Sequence, residues 1–390
     1  MIKGSAYEQQ DFVENWEELK KRKQPFAAII KPIDDCNMAC PYCYVNRKTG
    51  KLKMNDDVLE ATIVKISELI QDRRCVHFIW HGGEPLLLDL SFYGKIVELQ
   101  RQHCSALKIV NCVQTNGTLL TEEKVKFFVE NNFSVSLSID GPPAIHNINR
   151  KFINGEGSFD RIMESVHLLR KYKQVIGAVV VLTKATLPNI KEIYGFMRNT
   201  GIQFRINPII KSDSNVDNYD AVGITPSEYG LAMIELFDLW FYDTIEIQID
   251  PINLIVGNMI SDSIWGCDFH GGCLRDIICV NPDGNLYPCG QMAGNERFYL
   301  GNILENSIAE ILTHPVFLEI RKRSPKSIAQ CSACEFVAIC NGGCMVAAWM
   351  TGKGIFAVDY FCEGRQLLFK HIKMRIKEET VRLKNTCHFK

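Results

Sequence analysis

The 390-residue chain has almost no net charge, with 44 Lys and Arg against 45 Asp and Glu. That balance excludes a global field that would draw the chain to nucleic acid or to an anionic lipid surface. Long apolar runs are missing too. The longest, Val175 to Leu182, falls far short of the ~20 residues that span a bilayer, so no membrane association is expected. Residues 1–24 are polar and hold no hydrophobic stretch of the signal-peptide kind, so a cytoplasmic location is expected. No internal repeat or low-complexity tract is present. A hydrophobic content of 46% and a charged content of 23% suit a globular enzyme.

Cysteine, in contrast, is plentiful: the chain has sixteen. Disulfides are disfavoured in the cytoplasm, so this count points to metal or redox chemistry. Three cysteines lie in an early loop and nine between Cys267 and Cys362. Cys75, Cys104, Cys112 and Cys387 are scattered and read as buried or incidental thiols.

The early loop is Cys36-Asn37-Met38-Ala39-Cys40-Pro41-Tyr42-Cys43-Tyr44. A zinc knuckle pairs its cysteines as C-x2-C and needs a second pair elsewhere. Here three thiols share one loop and no fourth follows nearby. Three ligands on a four-iron cubane leave one iron open to a small chelating ligand. Half a zinc site, or three reduced structural cysteines, stay open on spacing alone.

From Phe26 to Asn207 apolar runs of strand length alternate with helical periodicity six times. The helices fall near 55–72, 91–103, 121–131, 159–172 and 189–199, and strands without polar alternation imply burial on both faces of a parallel sheet. Six units are too few for a closed eight-unit barrel, which leaves a partial barrel or a doubly wound sheet. In βα proteins the chemistry gathers at the strands' C-terminal ends. Those ends carry the cysteine loop, then His81-Gly82-Gly83-Glu84-Pro85, then Gln114-Thr115-Asn116-Gly117. Ser138-Ile139-Asp140-Gly141-Pro142 follows, with His146 and Arg150 beyond, and finally Asn207-Pro208. Each alone could be a turn. Their shared position on successive strands is hard to attribute to turns.

Downstream, a polar stretch from Lys211 to Ile224 reads as a loop at the barrel mouth. Helices near 227–241 and 251–261 follow. The second cysteine field then runs Cys267, Cys273, Cys279, Cys289, Cys331, Cys334, Cys340, Cys344 and Cys362. Residues 280–287 read as a hairpin that brings Cys289 back beside Cys279. Zinc could account for Cys331, Cys334, Cys340 and Cys344 taken alone. Iron–sulfur clusters better account for the whole field, because they accept four cysteines from separated segments.

The cysteine loop, Tyr44 beside its last cysteine, and Gly82-Gly83-Glu84-Pro85 resemble the radical S-adenosylmethionine superfamily. The resemblance implies a partial (β/α)6 TIM-like barrel in the α/β class. Cys36, Cys40 and Cys43 would hold a 4Fe–4S cluster whose open iron chelates S-adenosylmethionine. Tyr44, the backbone from Gly82 through Gly83 to Glu84, Thr115, Asn116, Ser138 and Asp140 would line its site, and Arg150 would take its carboxylate.

The second field resembles the SPASM extension, and with Cys267 in front it is similar to the two-cluster arrangement of anaerobic sulfatase-maturating enzymes. Carried over residue by residue, Cys267, Cys273, Cys289 and Cys344 would hold one auxiliary 4Fe–4S cluster. Cys331, Cys334, Cys340 and Cys362 would hold the other, with Cys279 left as a structural thiol. The implied division is a segment 1–25, a radical barrel 26–210, a bridge 211–264, a SPASM unit 265–365 and a terminal helix 366–390.

One departure bears on the product. In the sulfatase-maturating family an aspartate proposed as a base follows the hairpin cysteine, whereas Cys289 is followed by Gly290. That turns the expectation toward the maturases of ribosomally made peptides: a peptide cyclase forming an oxidative cross-link in a precursor peptide. Formylglycine formation from Cys or Ser is the alternative, and a zinc scaffold is disfavoured by the strand-end pattern. An electron donor such as flavodoxin or ferredoxin is implied. The segment ahead of Phe26 is too short for a fused leader-binding domain of winged-helix type, so leader recognition is expected either from a separate leader-binding protein or from the catalytic body. His81 and His270 are candidate proton handlers, and Tyr44, Tyr219, Trp265 and Phe269 could pack on a peptide.

Overall fold

The computed structural model describes residues 25–45, 52–70, 75–213, 215–261, 264–269, 271 and 273–387. The segment 1–25, apart from Pro25, and His270 lie outside the described residues.

The alternation of apolar runs becomes a run of βα units. β1 (Phe26–Ile30) leads through the cysteine loop to α1 (Asp56–Leu69), and β2 (Cys75–Trp80) to α2 (Leu90–His103). β3 (Lys108–Thr115) precedes α3 (Glu122–Glu130). β4 (Phe133–Ser138) precedes α4 (Pro143–Asn149) and α5 (Phe159–Lys171). β5 (Gly177–Leu182) leads to α6 (Ile190–Asn199), and β6 (Gln203–Pro208) leads through the polar loop to α7 (Pro226–Phe241). A short β7 (Ile249–Asp250) precedes α8 (Ile252–Ile260). The hairpin β8 (Ile277–Val280) and β9 (Leu286–Tyr287) follows, and short helices then carry the chain to α9 (Cys362–Cys387).

Local chemistry explains where the helices start. Asn55 caps α1 by accepting from Val58 N at 2.8 Å, and Asp56 and Asp57 complement the helix dipole in its first turn. Thr121 caps α3 from Lys124 N, half of a capping box, because position 124 holds no carboxylate to reach back. α7 has the full box between Thr225 and Glu228, with Pro226 at its first position.

Among the described residues the strands form one nine-stranded sheet in the order β7-β6-β5-β4-β3-β2-β1-β8-β9. All neighbours are parallel except the β8–β9 pair. This is the partial barrel. One strand exceeds the sequence expectation, and one expected hairpin strand joins the barrel sheet. β7 pairs with β6, and β8 lies parallel to β1 with Ile30 opposite Val280. The hairpin in the second cysteine field therefore extends the barrel sheet directly.

Burial departs from the expectation as well. Residues such as Ala28, Ile30, Phe78, Trp80, Leu137 and Val180 are fully covered. Their alternate neighbours are mostly half-buried. Helices cover one face completely, while the other lines an incompletely closed interior. The register aligns the strand ends, with Ile30 opposite Trp80, Trp80 opposite Val113, and Thr115 opposite Leu137. The loops that follow these strands consequently meet at one rim.

Candidate active site

The cysteine loop is tied to the hairpin after α4. Ala39 N donates to Lys151 O at 2.8 Å, and Met38 bridges to Phe152. Asn116 Nδ2 donates to Asn37 Oδ1 at 2.8 Å and lies 3.8 Å from Cys36 Sγ. Burial pushes the Cys40 thiol up to about 12. Arg150 opposes this, while Cys43, Asp140 and Cys36 add to it, so the three thiols stand close enough to feel one another.

The glycine pair after β2 is required by backbone proximity. Gly82 has φ +112, and a Cβ on Gly83 would stand 2.1 Å from Asp35 O. Gly83 N and Glu84 N donate to Ile33 O and Asp35 O, locking this loop to the start of the cysteine loop. The Glu84 carboxylate is fully buried and fully used. It accepts from Thr115 Oγ1 at 2.5 Å, Asn116 N at 2.8 Å and Leu86 N at 2.9 Å. Glu84 and Thr115 thus brace the rim with their side chains, and only backbone is left for a ligand.

Across the mouth, Asp140 anchors a compact polar group. Tyr42 donates its hydroxyl to Asp140 Oδ2 at 2.7 Å, and Arg150 Nη2 donates to Oδ1 at 2.9 Å. The Arg150 guanidinium lies 5.4 Å from the Tyr42 ring centroid. Asp140 therefore holds Arg150 and Tyr42 in place. His146 orders the same corner: Asp140 N donates to its Nδ1, and its Nε2 meets Ser158 Oγ at 3.0 Å. Ser138 Oγ accepts from Gln114 Nε2 at 3.3 Å.

The polar loop folds over this group. Asn215 Nδ2 donates to Tyr42 O, and Tyr219 packs with Tyr42 and Ile209. Arg150 Nε, Ser212 Oγ and Tyr219 OH are buried without hydrogen-bond partners among the described residues. Such orphans are what a polar ligand seated here would satisfy, so the residues present fit S-adenosylmethionine. Tyr42 was missed in favour of Tyr44; its position between Cys40 and Cys43 was the available signal.

Tyr44 faces elsewhere. It stacks on His81, with ring centroids 5.9 Å apart, and Lys31 Nζ lies 5.4 Å from its ring centroid. A Cβ built on Gly290 would stand 3.8 Å from the Tyr44 hydroxyl and 3.3 Å from Ile29 Cγ2. Burial, followed by Lys31, lowers His81 to about 4, and its Nδ1 has no partner. Of the other mouth aromatics, Phe269 and Tyr219 are buried and Trp265 is exposed.

The second cysteine field sorts into two sets. Cys267, exposed as a residue, has its thiol raised above the usual range by desolvation, followed by Asp268 and the thiols Cys273, Cys289 and Cys344, which places it beside that set. Burial also raises Cys331, with Cys362 and Cys334 next in effect, and it pushes Cys340 to about 12, with Cys362 and Cys331 among its neighbours. Cys331, Cys334, Cys340 and Cys362 open into one cavity of about 400 Å³. Cys344 feels Cys273, which favours the first set for it over a zinc grouping with Cys331, Cys334 and Cys340. Among the described residues no three His, Cys, Asp or Glu close to the spacing of a single ion. Two groups of soft donors brought together from separated segments suit sulfur-bridged clusters. Cys279 is buried in β8.

The Radical SAM superfamily profile matches residues 30–197, and the SPASM profile, an iron-sulfur cluster-binding domain, matches 272–335. The cysteine-type anaerobic sulfatase-maturating enzyme of Clostridium perfringens is 30% identical over 368 residues, covering 90% of this chain and 97% of that one. The chain belongs to the anaerobic sulfatase-maturating enzyme family. The serine-type enzyme of Bacteroides thetaiotaomicron is 29% identical over 376 residues, 90% of each chain. The solved structure of native anSMEcpe with bound AdoMet superposes with a TM-score of 0.79 at 27% identity, covering 91% of this chain and 99% of that one.

Membership corrects the expected product. Peptide cross-linking rested on Gly290, yet near-full-length similarity runs to both cysteine- and serine-type sulfatase-maturating enzymes. The Streptococcus suis peptide modifier SuiB, at 17% identity and a TM-score of 0.64, shares only the fold. The peptide-cyclase expectation falls with that reading. This family member is a radical S-adenosylmethionine enzyme with a C-terminal SPASM domain, and its cofactors are three 4Fe–4S clusters and S-adenosylmethionine. No helix among the described residues is long and apolar enough to cross a membrane.

Proposed function

We propose that this chain oxidises a Cys or Ser side chain of a sulfatase polypeptide to formylglycine. The observation that carries the reading is the 97% coverage of a cysteine-type relative. The structure of native anSMEcpe with bound AdoMet and Kp18Cys peptide, at a TM-score of 0.80, supports a peptide segment as the bound form of substrate.

When bound, the cofactors would supply a radical able to take a hydrogen from the substrate Cβ and an acceptor for the second electron; a serine would give the aldehyde directly, and a cysteine the thioaldehyde, which water would convert to the aldehyde with loss of hydrogen sulfide. Cys36, Cys40 and Cys43 would hold the first cluster. Cys267, Cys273, Cys289 and Cys344 would hold one auxiliary cluster, and Cys331, Cys334, Cys340 and Cys362 the other. Backbone at Gly82 and Gly83, with Tyr42, Asn116, Ser138 and Arg150, would orient S-adenosylmethionine, while Asp140, Glu84 and Thr115 hold those groups in place. The loop carrying Asn215 and Tyr219 would help exclude water.

The substrate thiol or hydroxyl must also lose its proton. With Gly290 lacking a carboxylate, the acceptor in this reading is His81. Burial keeps it neutral, and its Nδ1 has no other partner. Tyr44 sits between its ring and position 290. The electron that starts turnover would come from a flavodoxin- or ferredoxin-type donor, and this reading needs no leader-binding partner. The proposed location remains the cytoplasm, where such donors reside.

The test is anaerobic incubation of the reconstituted, reduced enzyme with S-adenosylmethionine and a peptide carrying a sulfatase's modified cysteine. The expected product has the mass of the formylglycine peptide and condenses with a hydrazide. Cleavage of S-adenosylmethionine with the peptide unchanged, or an internally cross-linked peptide, would overturn the reading.

A further inference from the structure

Three buried charged side chains lie between the two auxiliary sulfur sets. Asp359 and Arg365 are 2% and 4% exposed and pair at 3.2 Å. Asp359 reaches into the first set, where its Oδ2 accepts from Cys344 N at 2.7 Å. Its Oδ1 accepts from Phe361 N at 2.7 Å, at the start of the helix that carries Cys362. Arg365 sits on that helix. Its Nη1 reaches back to Asp268 O at 3.4 Å, next to Cys267, and its guanidinium lies 5.2 Å from the Phe269 ring centroid.

Arg323 completes the group. It donates to Gly342 O at 2.7 Å and to Ala357 O at 3.3 Å, so it grips the turn between Cys340 and Cys344. Contact here is close enough to demand glycine. Gly343 has φ +69, and a Cβ on it would stand 2.6 Å from Asp359 Oδ2. Asp359 and Arg365 also line the cavity shared by Cys331, Cys334, Cys340 and Cys362.

Two arginines and one aspartate leave an excess positive charge in the interior. A buried unpaired cation costs several kcal/mol unless an anion compensates it. Thiolate-ligated clusters on both sides are such anions. Positive charge beside a cluster favours its electron-rich state and raises its reduction potential.

We propose that Asp359, Arg365 and Arg323 form a charged partition that joins the two auxiliary cages and raises the reduction potentials of the clusters they hold. The proposal rests on the ligand sets given under the proposed function. These are positioning and tuning residues: their contacts are to the chain that carries the cage cysteines.

The test is an EPR-monitored redox titration of reconstituted protein in which Cys36, Cys40 and Cys43 are replaced by alanine, leaving auxiliary signals alone. Arg365→Gln should move an auxiliary midpoint to more negative potential with iron content unchanged, and Arg365→Lys should return it toward the parent. Asp359→Asn should move it the opposite way, which a merely structural role would not do. Arg323→Gln should follow Arg365→Gln in sign and decides the matter if Arg365→Gln fails to hold iron. Unchanged midpoints, or shifts of the same sign for Arg323→Gln and Asp359→Asn, would overturn the partition. A parent with less iron than two four-iron clusters would instead overturn the ligand assignment.

Discussion

Arg150 donates to Asp140 at 2.9 Å with both side chains buried, so the candidate cofactor-carboxylate partner already carries a counter-charge. Its charge is neutralised locally while its Nε stays unsatisfied. Arg150 can therefore orient a ligand through a directed N–H without leaving an isolated cation in the empty enzyme. Removing one partner of a buried pair exposes the other to the full desolvation penalty. Asp140→Ala should lower the unfolding free energy by about 3–5 kcal/mol and raise the KM for S-adenosylmethionine, while Asp140→Asn should do less of both. Urea unfolding and initial-rate kinetics check this. A destabilised variant with unchanged KM would detach the pair from cofactor binding.

The three sulfur sets should be separable by iron analysis. Replacing Cys36, Cys40 and Cys43 together should remove one cluster's worth of iron and all cleavage of S-adenosylmethionine. Cys344→Ala and Cys362→Ala should each damage one auxiliary cluster and spare that cleavage, losing peptide oxidation. Cys279→Ser should keep full iron, since this thiol lies in β8. Iron loss in Cys279→Ser would reassign the ligands.

Proton removal gives a paired prediction. His81→Gln should lower kcat on a cysteine peptide by roughly 100-fold, the usual scale of general base catalysis, with KM and iron content little changed. Gly290 is not held at positive φ, and a Cβ there meets Ile29 at 3.3 Å, a contact that a small side-chain shift relieves. Gly290→Asp should therefore fold and recover at least about tenfold of the lost rate in the His81→Gln background. No recovery, with normal iron content, would place the acceptor elsewhere.

His146 should make stability depend on pH. Burial, reinforced by Arg150 and opposed by Asp140, lowers it from 6.5 to about 4. Between those values the unfolded chain binds a proton that the folded chain refuses. Stability should then fall as pH drops from 6.5 toward 4, by up to about 3 kcal/mol. His146→Gln can keep the contacts to Asp140 N and Ser158 and should reduce the slope by one proton's worth, leaving the contribution of His81, which has the same sign. Anaerobic unfolding midpoints across this range measure it.

Most of the barrel was legible because its signals are local. The periodicity of Val58, Leu59, Ile63 and Ile66 marks one face of α1, and Asn55 caps it. Gly82 and Gly83 announce a close backbone approach, and the structure supplies its partners in Ile33 O and Asp35 O. β8 was read only as a hairpin strand, since its apolar residues say nothing about which distant strand they join. Tyr44 was chosen over Tyr42 because both are aromatics beside cysteines; burial against Asp140 and Arg150 separates them. The product was misjudged for another reason. One missing carboxylate at Gly290 outweighed similarity spread over the whole chain, which no single motif displays.

By itself, the sequence determined the βα order, the helix caps, the three-thiol loop and the thiol-rich second field. Each of these follows from spacing or periodicity within a few turns of chain. Only the tertiary structure decided that β8 pairs with β1, that Tyr42 and Arg150 meet at Asp140, and that Asp359 and Arg365 meet between the sulfur sets. Such contacts depend on strand register and on the desolvation of charges brought together from far apart, and local pattern does not encode either.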